Sequence, residues 1–218
     1  MKKQITNNKI IIMKTKQLIT LLLISIIFLM PNSTFCKNED IIIDSKMTFE
    51  ESIKGTNAPD SIINNLCLLD VEYYSFDNKL HKGQILIHKD ISKDVKEVFE
   101  LIKKIKFPVK EVIPIVQYNW SDSLSMAKNN TSAFNYRVVA GTNKLSNHSY
   151  GLAFDLNPFQ NPYVSSSKKI TPIGAKYKKK KKGTVYSSHE IVKFLKDRGW
   201  TWGGDWITIK DYQHFEKK

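Results

Sequence analysis

Ser146-Asn147-His148-Ser149-Tyr150-Gly151-Leu152-Ala153-Phe154-Asp155 is the stretch of this chain that decides its fold. It carries an imidazole, a glycine and a carboxylate at fixed spacing, and it ends in residues that are apolar around one acid. Residues 152–156 therefore predict a buried strand. A buried carboxylate with no partner is costly, so Asp155 needs either a cation or a set of hydrogen-bond donors.

A second stretch near the C-terminus supplies matching chemistry. Gly203-Gly204-Asp205-Trp206 is followed by Asp211-Tyr212-Gln213-His214-Phe215-Glu216, whose last three residues predict a final strand. It adds a second imidazole, His214, and places the acid Asp211 three residues before it. Together the two stretches hold the components of a catalytic zinc site, namely three protein ligands and a base for a water molecule.

Each of the three predicted zinc ligands also has a purely structural interpretation. His148 on a loop and Asp155 on the following strand can share one ion if Gly151 allows the chain to bend between them. Asp155 alone would favour a buried aspartate that pairs with a lysine or arginine or accepts backbone N–H bonds. His214 alone would favour a histidine packed in the core.

Three further residues are candidates for catalysis or substrate binding. Asp211 is placed to act as general base and then as general acid to the leaving amine, although aspartate is also common in turns and helix caps. Arg137 could hold a substrate carbonyl or carboxylate and stabilise an oxyanion, or it could form a structural ion pair. Ser146 could donate a hydrogen bond to substrate or shape the turn.

The rest of the chain predicts a mixture of helices and strands. Residues 71–76 and 83–88 are rich in aromatic and branched residues and flank a turn, which predicts a hairpin. Apolar residues recur at helical spacing over residues 93–105, and Phe107-Pro108 ends that helix. Because the elements do not alternate as βαβ units, the predicted class is α+β, with a mainly antiparallel sheet flanked by helices.

The N-terminus predicts a secretory signal over residues 1–36. Five lysines precede an apolar run over residues 18–30, which is shorter than the ~20 residues that a bilayer span needs. A retained anchor is the alternative. Cys36 stands where a lipoprotein cysteine would, but Phe35 before it is bulky, which favours cleavage near this point over lipid attachment.

The mature chain is predicted as a linker over residues 37–58 and a single domain over residues 59–218. Residues 37–58 are polar and mixed in composition. With two cysteines in the chain, Cys67 has only Cys36 to pair with, so the domain does not depend on a disulfide framework.

The chain is strongly basic, with a formal net charge of +13. An exported protein of this charge suits an anionic surface such as a cell-wall polymer or lipid headgroups. Export and the lack of zinc-finger or aromatic RNA-binding motifs argue against nucleic acid. The densest charge is the run Lys176-Tyr177-Lys178-Lys179-Lys180-Lys181-Lys182-Gly183. Such a run is usually a solvated loop, and the alternative is that it rims the active cleft.

The combined motifs resemble those of the M15 metallopeptidases. This family includes the VanY-type D-alanyl-D-alanine carboxypeptidases and the L-alanyl-D-glutamate peptidases of some phage lysins. The resemblance rests on Ser-x-His-x-x-Gly-x-Ala-x-Asp, Gly-Gly-Asp-Trp and Asp-x-x-His-Phe-Glu. It extends upstream through 131–137 and 140–146, and covers roughly residues 60–216. It implies a Hedgehog/DD-peptidase-like fold.

The resemblance also implies a function and a role for each site residue. His148, Asp155 and His214 would be the Zn²⁺ ligands, Asp211 the catalytic acid and base, and Arg137 with Ser146 the substrate contacts. Many members carry glutamate at the position of Asp211, but aspartate also occurs there. The implied reaction is hydrolysis of a peptide bond in bacterial peptidoglycan stem peptides, by a D-alanyl-D-alanine carboxypeptidase. The expected location of this exported bacterial protein is the periplasm, the cell envelope or the medium.

Two alternatives remain at this stage. An L-alanyl-D-glutamate endopeptidase would need a cleft open at the end where a carboxypeptidase holds a terminal carboxylate. A catalytically silent cell-wall-binding module would keep the metal for stability, but structural zinc sites usually close all four positions, often with cysteine. Peptidoglycan stem peptides are the expected partner and nucleic acid is not expected. Membrane contact is expected only through the signal or a lipid anchor at Cys36.

Overall fold

Helices and strands are mixed along the chain in the computed structural model, which describes residues 40–218. The strands are β1 (Ile42–Ile43), β2 (Leu66–Tyr74), β3 (Leu80–His88), β4 (Glu111–Val112), β5 (Asn130–Thr131), β6 (Ala153–Asp155), β7 (Tyr163–Val164), β8 (Ile170–Thr171), β9 (Thr201–Trp202), β10 (Lys210–Asp211) and β11 (His214–Glu216). The α-helices are α1 (Phe49–Ser52), α2 (Asp60–Ile63), α3 (Ser92–Lys104), α4 (Asp122–Ala127) and α5 (Glu190–Lys196). The predicted α+β class is confirmed.

The predicted hairpin and the helix that follows it form the main core. Strands β2 and β3 pair antiparallel from Leu66 opposite His88 to Tyr74 opposite Leu80, so both strands are longer than predicted. Helix α3 packs on this hairpin with the apolar face that its 3.6-residue periodicity predicts. The core side chains are Tyr73, Ile85 and Ile87 from the hairpin, and Val95, Val98, Phe99 and Ile102 from α3. The helix runs over almost the predicted range.

The strands form several small sheets. Over residues 40–218 there are four, with strand orders β1-β3-β2, β10-β7-β8, β6-β11-β9 and β4-β5. Two of the strand pairs, β1 with β3 and β4 with β5, are parallel. The predicted single, mainly antiparallel sheet is therefore not confirmed. Several of the strands are only two residues long and pair in separate small sheets.

The sheet β6-β11-β9 positions the site. Phe154 of β6 and Phe215 of β11 are opposite each other, fully buried and stacked with ring centroids 5.3 Å apart. Since successive side chains in a strand point to opposite faces, their neighbours Asp155 and His214 are turned to the other face of the same sheet. The two aromatic side chains fix the sheet in the core, and the two polar ones share the opposite side.

The N-terminal boundary of the domain differs from the prediction. The range predicted as a linker, residues 37–58, contains β1, which pairs with β3, and helix α1, which Thr48 caps. Residues 40–58 therefore belong to the compact unit. The predicted signal over residues 1–36 lies outside the described residues. Within the described part, none of the helices is long and apolar enough to cross a bilayer.

Candidate metal centre

The three predicted ligands meet at one point of the structure. His148 Nε2 lies 3.1 Å from His214 Nδ1, and Asp155 Oδ1 lies 3.3 Å from His148 Nε2 and 3.2 Å from His214 Nδ1. All three side chains are buried or nearly so. In the described part of the chain, this is the group of histidine and carboxylate side chains whose donor atoms lie close enough together to hold a metal ion.

Hydrogen bonds outside the cluster orient both imidazoles. His148 Nδ1 donates to the carbonyl oxygen of Ala133 at 2.6 Å, and His214 Nε2 donates to Glu216 Oε2 at 3.0 Å. In a metal-bound form each imidazole is neutral and has one N–H donor, which these outer bonds use, so His148 Nε2 and His214 Nδ1 would present lone pairs to the ion. Two imidazole nitrogens and a carboxylate oxygen thus converge, and a cation between them would satisfy all three.

The spacing and chemistry of the donors fit zinc. Ligand atoms at the usual zinc distances of about 2.0–2.2 Å lie about 3.3–3.6 Å apart at the corners of a tetrahedron. The observed separations of 3.1–3.3 Å are near that range. The second hydrogen bond of each histidine, to a carbonyl or carboxylate, is the usual outer arrangement of zinc-bound imidazoles. Two nitrogens and one oxygen also leave a fourth position for water or substrate.

Electrostatics at this point favour positive charge. Burial by itself raises the pKa of Asp155, but the charges and hydrogen bonds of His148 and His214 outweigh it and lower that pKa below its ordinary value. Burial lowers the pKa of His214, but hydrogen bonds to Asp155 and Glu216 raise it to about 10. The hydrogen bond from His214 is also the main reason why the pKa of Glu216 falls to about 2.

Local backbone geometry holds His148 in place. It lies in a short 3₁₀ helix, Asn147–Tyr150, and its backbone N–H donates to the hydroxyl of Ser146 at 3.3 Å. Gly151 ends that helix with φ 68°, and an added Cβ would lie 2.7 Å from the backbone nitrogen of His88. Glycine is thus required twice, for its conformation and for the close approach of β3.

Asp211 lies beside the cluster without belonging to it. It ends β10, and its Oδ1 is buried with no hydrogen-bond partner among the described residues. Burial, together with the negative charge of Asp155, raises the pKa of Asp211 to about 7. The backbone approaches closely here as well, since a Cβ on Gly203 would lie 2.5 Å from the carbonyl oxygen of Asp211. An unpaired carboxyl with a pKa near neutrality can accept and return a proton.

Arg137 forms an ion pair of the kind foreseen as its structural alternative. Its Nε lies against Asp122 Oδ2, and Asp122 Oδ1 accepts a hydrogen bond from Asn135 Nδ2 at 2.7 Å. The positive charge of Arg137 partly opposes the rise in the pKa of Asp211, so the guanidinium is close enough to act on the site electrostatically. Its two terminal nitrogens make no hydrogen bond within residues 40–218.

Ser146 shapes the turn before His148, and its predicted contact with substrate stays a prediction. Its side chain is buried and accepts the hydrogen bond that caps the helix carrying His148.

Glu216 is a residue of this site that the sequence analysis did not assign, although it lies two residues from His214 on one strand and so on the same face. Asn147 Nδ2 donates to the same carboxylate oxygen at 2.6 Å. That spacing was the available signal.

Comparison with known proteins supports the family resemblance. Residues 140–217 match the model of an M15 peptidase family described as D-alanyl-D-alanine carboxypeptidase. The matched range contains all three residues of the cluster and Asp211, whereas Arg137 lies just before it. No solved structure matches the chain.

Proposed function

With residues 140–217 identified as an M15 peptidase sequence, we propose that the protein is a zinc-dependent D-alanyl-D-alanine carboxypeptidase acting on peptidoglycan stem peptides. The observation that carries the proposal is the convergence of two imidazole nitrogens and one carboxylate oxygen beside an unpaired acid. The family description favours the carboxypeptidase over the L-alanyl-D-glutamate endopeptidase. We also propose that the domain has a Hedgehog/DD-peptidase-like fold.

His148, Asp155 and His214 would hold the metal. A bound zinc ion supplies Lewis acidity for the scissile carbonyl and lowers the pKa of water from about 15.7 towards about 7. Ala133 and Glu216 hold the two imidazoles in the tautomers that offer their lone pairs to the ion. The protein's part at this centre is to keep three donors fixed and a fourth position open.

Asp211 is the group that moves the proton. Its Oδ1 has no competing partner among the described residues, so it is free to accept a proton from the attacking water. With its pKa raised by burial, the protonated carboxyl can then give that proton to the departing amine of the terminal D-alanine. One carboxyl serves as base and then as acid.

Arg137 would bind the substrate rather than the metal. Asp122 lies against its Nε, so the two terminal nitrogens are left for a carbonyl or carboxylate. In the carboxypeptidase, that carboxylate is the C-terminus of the stem peptide. The protein would meet this substrate in the bacterial cell envelope, after its export directed by residues 1–36.

Digestion of a purified stem pentapeptide that ends in D-Ala-D-Ala tests this proposal. The zinc-loaded protein is expected to release D-alanine and leave a tetrapeptide that still begins with L-alanine. Cleavage after the first L-alanine leaves a tetrapeptide of the same mass, so a chiral assay of the released alanine and fragmentation of the tetrapeptide by tandem mass spectrometry distinguish the two reactions. Asp211→Asn should keep one zinc per chain and lower turnover by about 10²–10⁴-fold, because the proton acceptor is gone.

Three results would contradict parts of the proposal. Release of L-alanine would replace the carboxypeptidase with the endopeptidase. Full turnover by Asp211→Asn would remove Asp211 from the chemistry. A zinc-loaded wild-type protein that releases neither product would leave the metal centre with a structural role.

A further inference from the structure

The lysine-rich segment, residues 176–182, carries positive charge that the fold does not use. Lys176 and Lys178–Lys182 are exposed, and none of them takes part in an ion pair or side-chain hydrogen bond in the described part of the chain. Lysines elsewhere on this surface are often paired, as Lys103 is with Glu72 and Lys196 is with Asp205. Six neighbouring ammonium groups without counter-charges repel one another and favour binding of an anion.

The segment is held in place at both ends. The ring of Tyr177 stacks on Tyr212 with centroids 3.6 Å apart and planes at 5°, and its hydroxyl donates to the carbonyl of Val185 at 2.9 Å. At the other end, the carbonyl of Gly183 accepts hydrogen bonds from the side chains of Asn157 and Asn161, at 3.1 and 3.0 Å. The lysines therefore project from an anchored loop.

A groove of about 690 Å³ lies along this loop, and its lining contains no acid. Lys179–Lys182 form one side, and Ser187 and Ser188 add hydroxyl groups that make no hydrogen bond within residues 40–218. His189 Nδ1 accepts from the backbone N–H of Ile191, which leaves its Nε2–H as a further donor. Glu190 is the acid next to His189 in the chain, and it does not line the groove.

The donors suit phosphate oxygens better than nucleic-acid bases. Ammonium, hydroxyl and imidazole N–H groups all donate to anionic oxygens. Binding of single-stranded nucleic acid also needs exposed aromatic faces on which bases stack. Of the aromatic rings in the groove, Phe107 is 6% exposed and covered edge-on by His189, and Tyr186 is also edge-on to His189.

We propose that this groove binds a linear phosphodiester polymer of the polyol-phosphate type, with Lys179–Lys182 along its backbone. The stacked pair of Tyr177 and Tyr212 places the bound polymer next to the strand that carries Asp211, because Tyr212 directly follows that residue. The polymer would keep the protein at an anionic surface that lies next to the substrate. Binding does not depend on the metal or on turnover.

Binding of full-length protein to poly(glycerol phosphate) tests this proposal. Replacing Lys179, Lys180, Lys181 and Lys182 together with glutamine is expected to weaken binding at least about tenfold, and to lower the slope of log K against log salt by about 3, at ~0.7 per lost contact. The matched control replaces four exposed, unpaired lysines elsewhere with glutamine, namely Lys54, Lys79, Lys96 and Lys104. This control variant loses the same number of positive charges, and its affinity for the polymer should change less than about twofold.

Two comparison probes and a second variant make the result decisive. If a single-stranded oligonucleotide or phosphatidylglycerol vesicles bind through the same lysines as tightly as the polymer does, the proposal is wrong. Equal losses in the loop variant and the control variant would also overturn it, since they would show that only net charge matters. If the four-fold variant does not fold, the charge reversal Lys180→Glu replaces it. Peptide digestion by the loop variant should stay unchanged.

Discussion

Each histidine of the cluster divides its two ring nitrogens between the fold and the cluster. His148 uses Nδ1 to bind the carbonyl of Ala133, and His214 uses Nε2 to bind Glu216. Without those outer hydrogen bonds, either ring could turn or change tautomer and present an N–H to the ion in place of a lone pair. The outer partners therefore decide whether the three donors form a metal site.

Replacing Glu216 tests that division. Glu216→Ala removes the acceptor for His214 Nε2 and for Asn147 Nδ2, so zinc affinity is expected to fall about 10- to 100-fold while the fold remains. Competition with a chelator of known affinity measures the loss. Glu190→Ala is the matched control, because Glu190 is exposed and makes no side-chain hydrogen bond in the described residues. Unchanged zinc affinity in Glu216→Ala would show that His214 is oriented by other contacts.

At the scale of single elements, the turn at Gly151 joins the metal centre to the core. This glycine ends the helix of His148, and its carbonyl accepts a hydrogen bond from the backbone N–H of His88 at 2.9 Å. Strand β3 therefore lies against the turn. A change at this position acts on the core and on the position of His148 together.

Gly151→Ala is expected to destabilise the protein by at least about 2 kcal/mol, because the left-handed conformation and the contact with His88 both exclude a Cβ. Chemical denaturation measures this. Gly199→Ala is the matched control, since Gly199 has φ 81° but nothing within 4 Å of an added Cβ. It should show only the conformational cost, about 1 kcal/mol. Equal losses in both variants would remove the steric part of the argument.

A second inter-element contact ties the C-terminal tail to helix α3. Asp94 Oδ2 accepts hydrogen bonds from Trp200 Nε1 at 2.9 Å and from Lys217 Nζ at 2.7 Å. Burial raises the pKa of Asp94, but these hydrogen bonds outweigh it and lower the pKa below its ordinary value. A carboxyl group whose pKa is lower in the folded state stabilises the fold when it is ionised.

Asp94→Asn is therefore expected to lower the free energy of unfolding by about 1–2 kcal/mol at pH 7. The difference from wild type should persist down to about pH 4, the ordinary pKa of aspartate, and disappear as the pH falls further through the folded pKa. Urea denaturation at several pH values measures it. Asp197→Asn, at an exposed aspartate without side-chain partners, is the control. A difference that does not change between pH 7 and pH 3 would exclude ionisation of Asp94 as its cause.

At the scale of the whole molecule, the sequence predicted the convergence of His148, Asp155 and His214 better than the sheets. His148, Asp155 and His214 could be found because two histidines and an aspartate, with a further acid close by, are typical of a catalytic zinc centre. The hairpin and α3 could be found because long periodic segments carry a strong signal. The short strands, of two or three residues, depend on contacts between distant parts of the chain, which no local pattern records.

The sequence also did not predict the ion-pair partners of the charged residues. Arg137 pairs with Asp122, fifteen residues earlier, and the pairing arises from the packing of α4 against the site. Residues 37–58 are polar enough in composition for a linker, but β1 pairs with β3 through backbone hydrogen bonds that do not depend on side-chain composition. Such pairings are decided by the tertiary structure.

Anomalous diffraction at the zinc edge from crystals of the zinc-loaded protein tests the central claim most directly. One strong peak per chain is expected about 2.0–2.2 Å from His148 Nε2, His214 Nδ1 and Asp155 Oδ1 together, and no such peak in crystals of His148→Ala. A peak bound by other residues, or full zinc occupancy at this point in His148→Ala, would contradict the account.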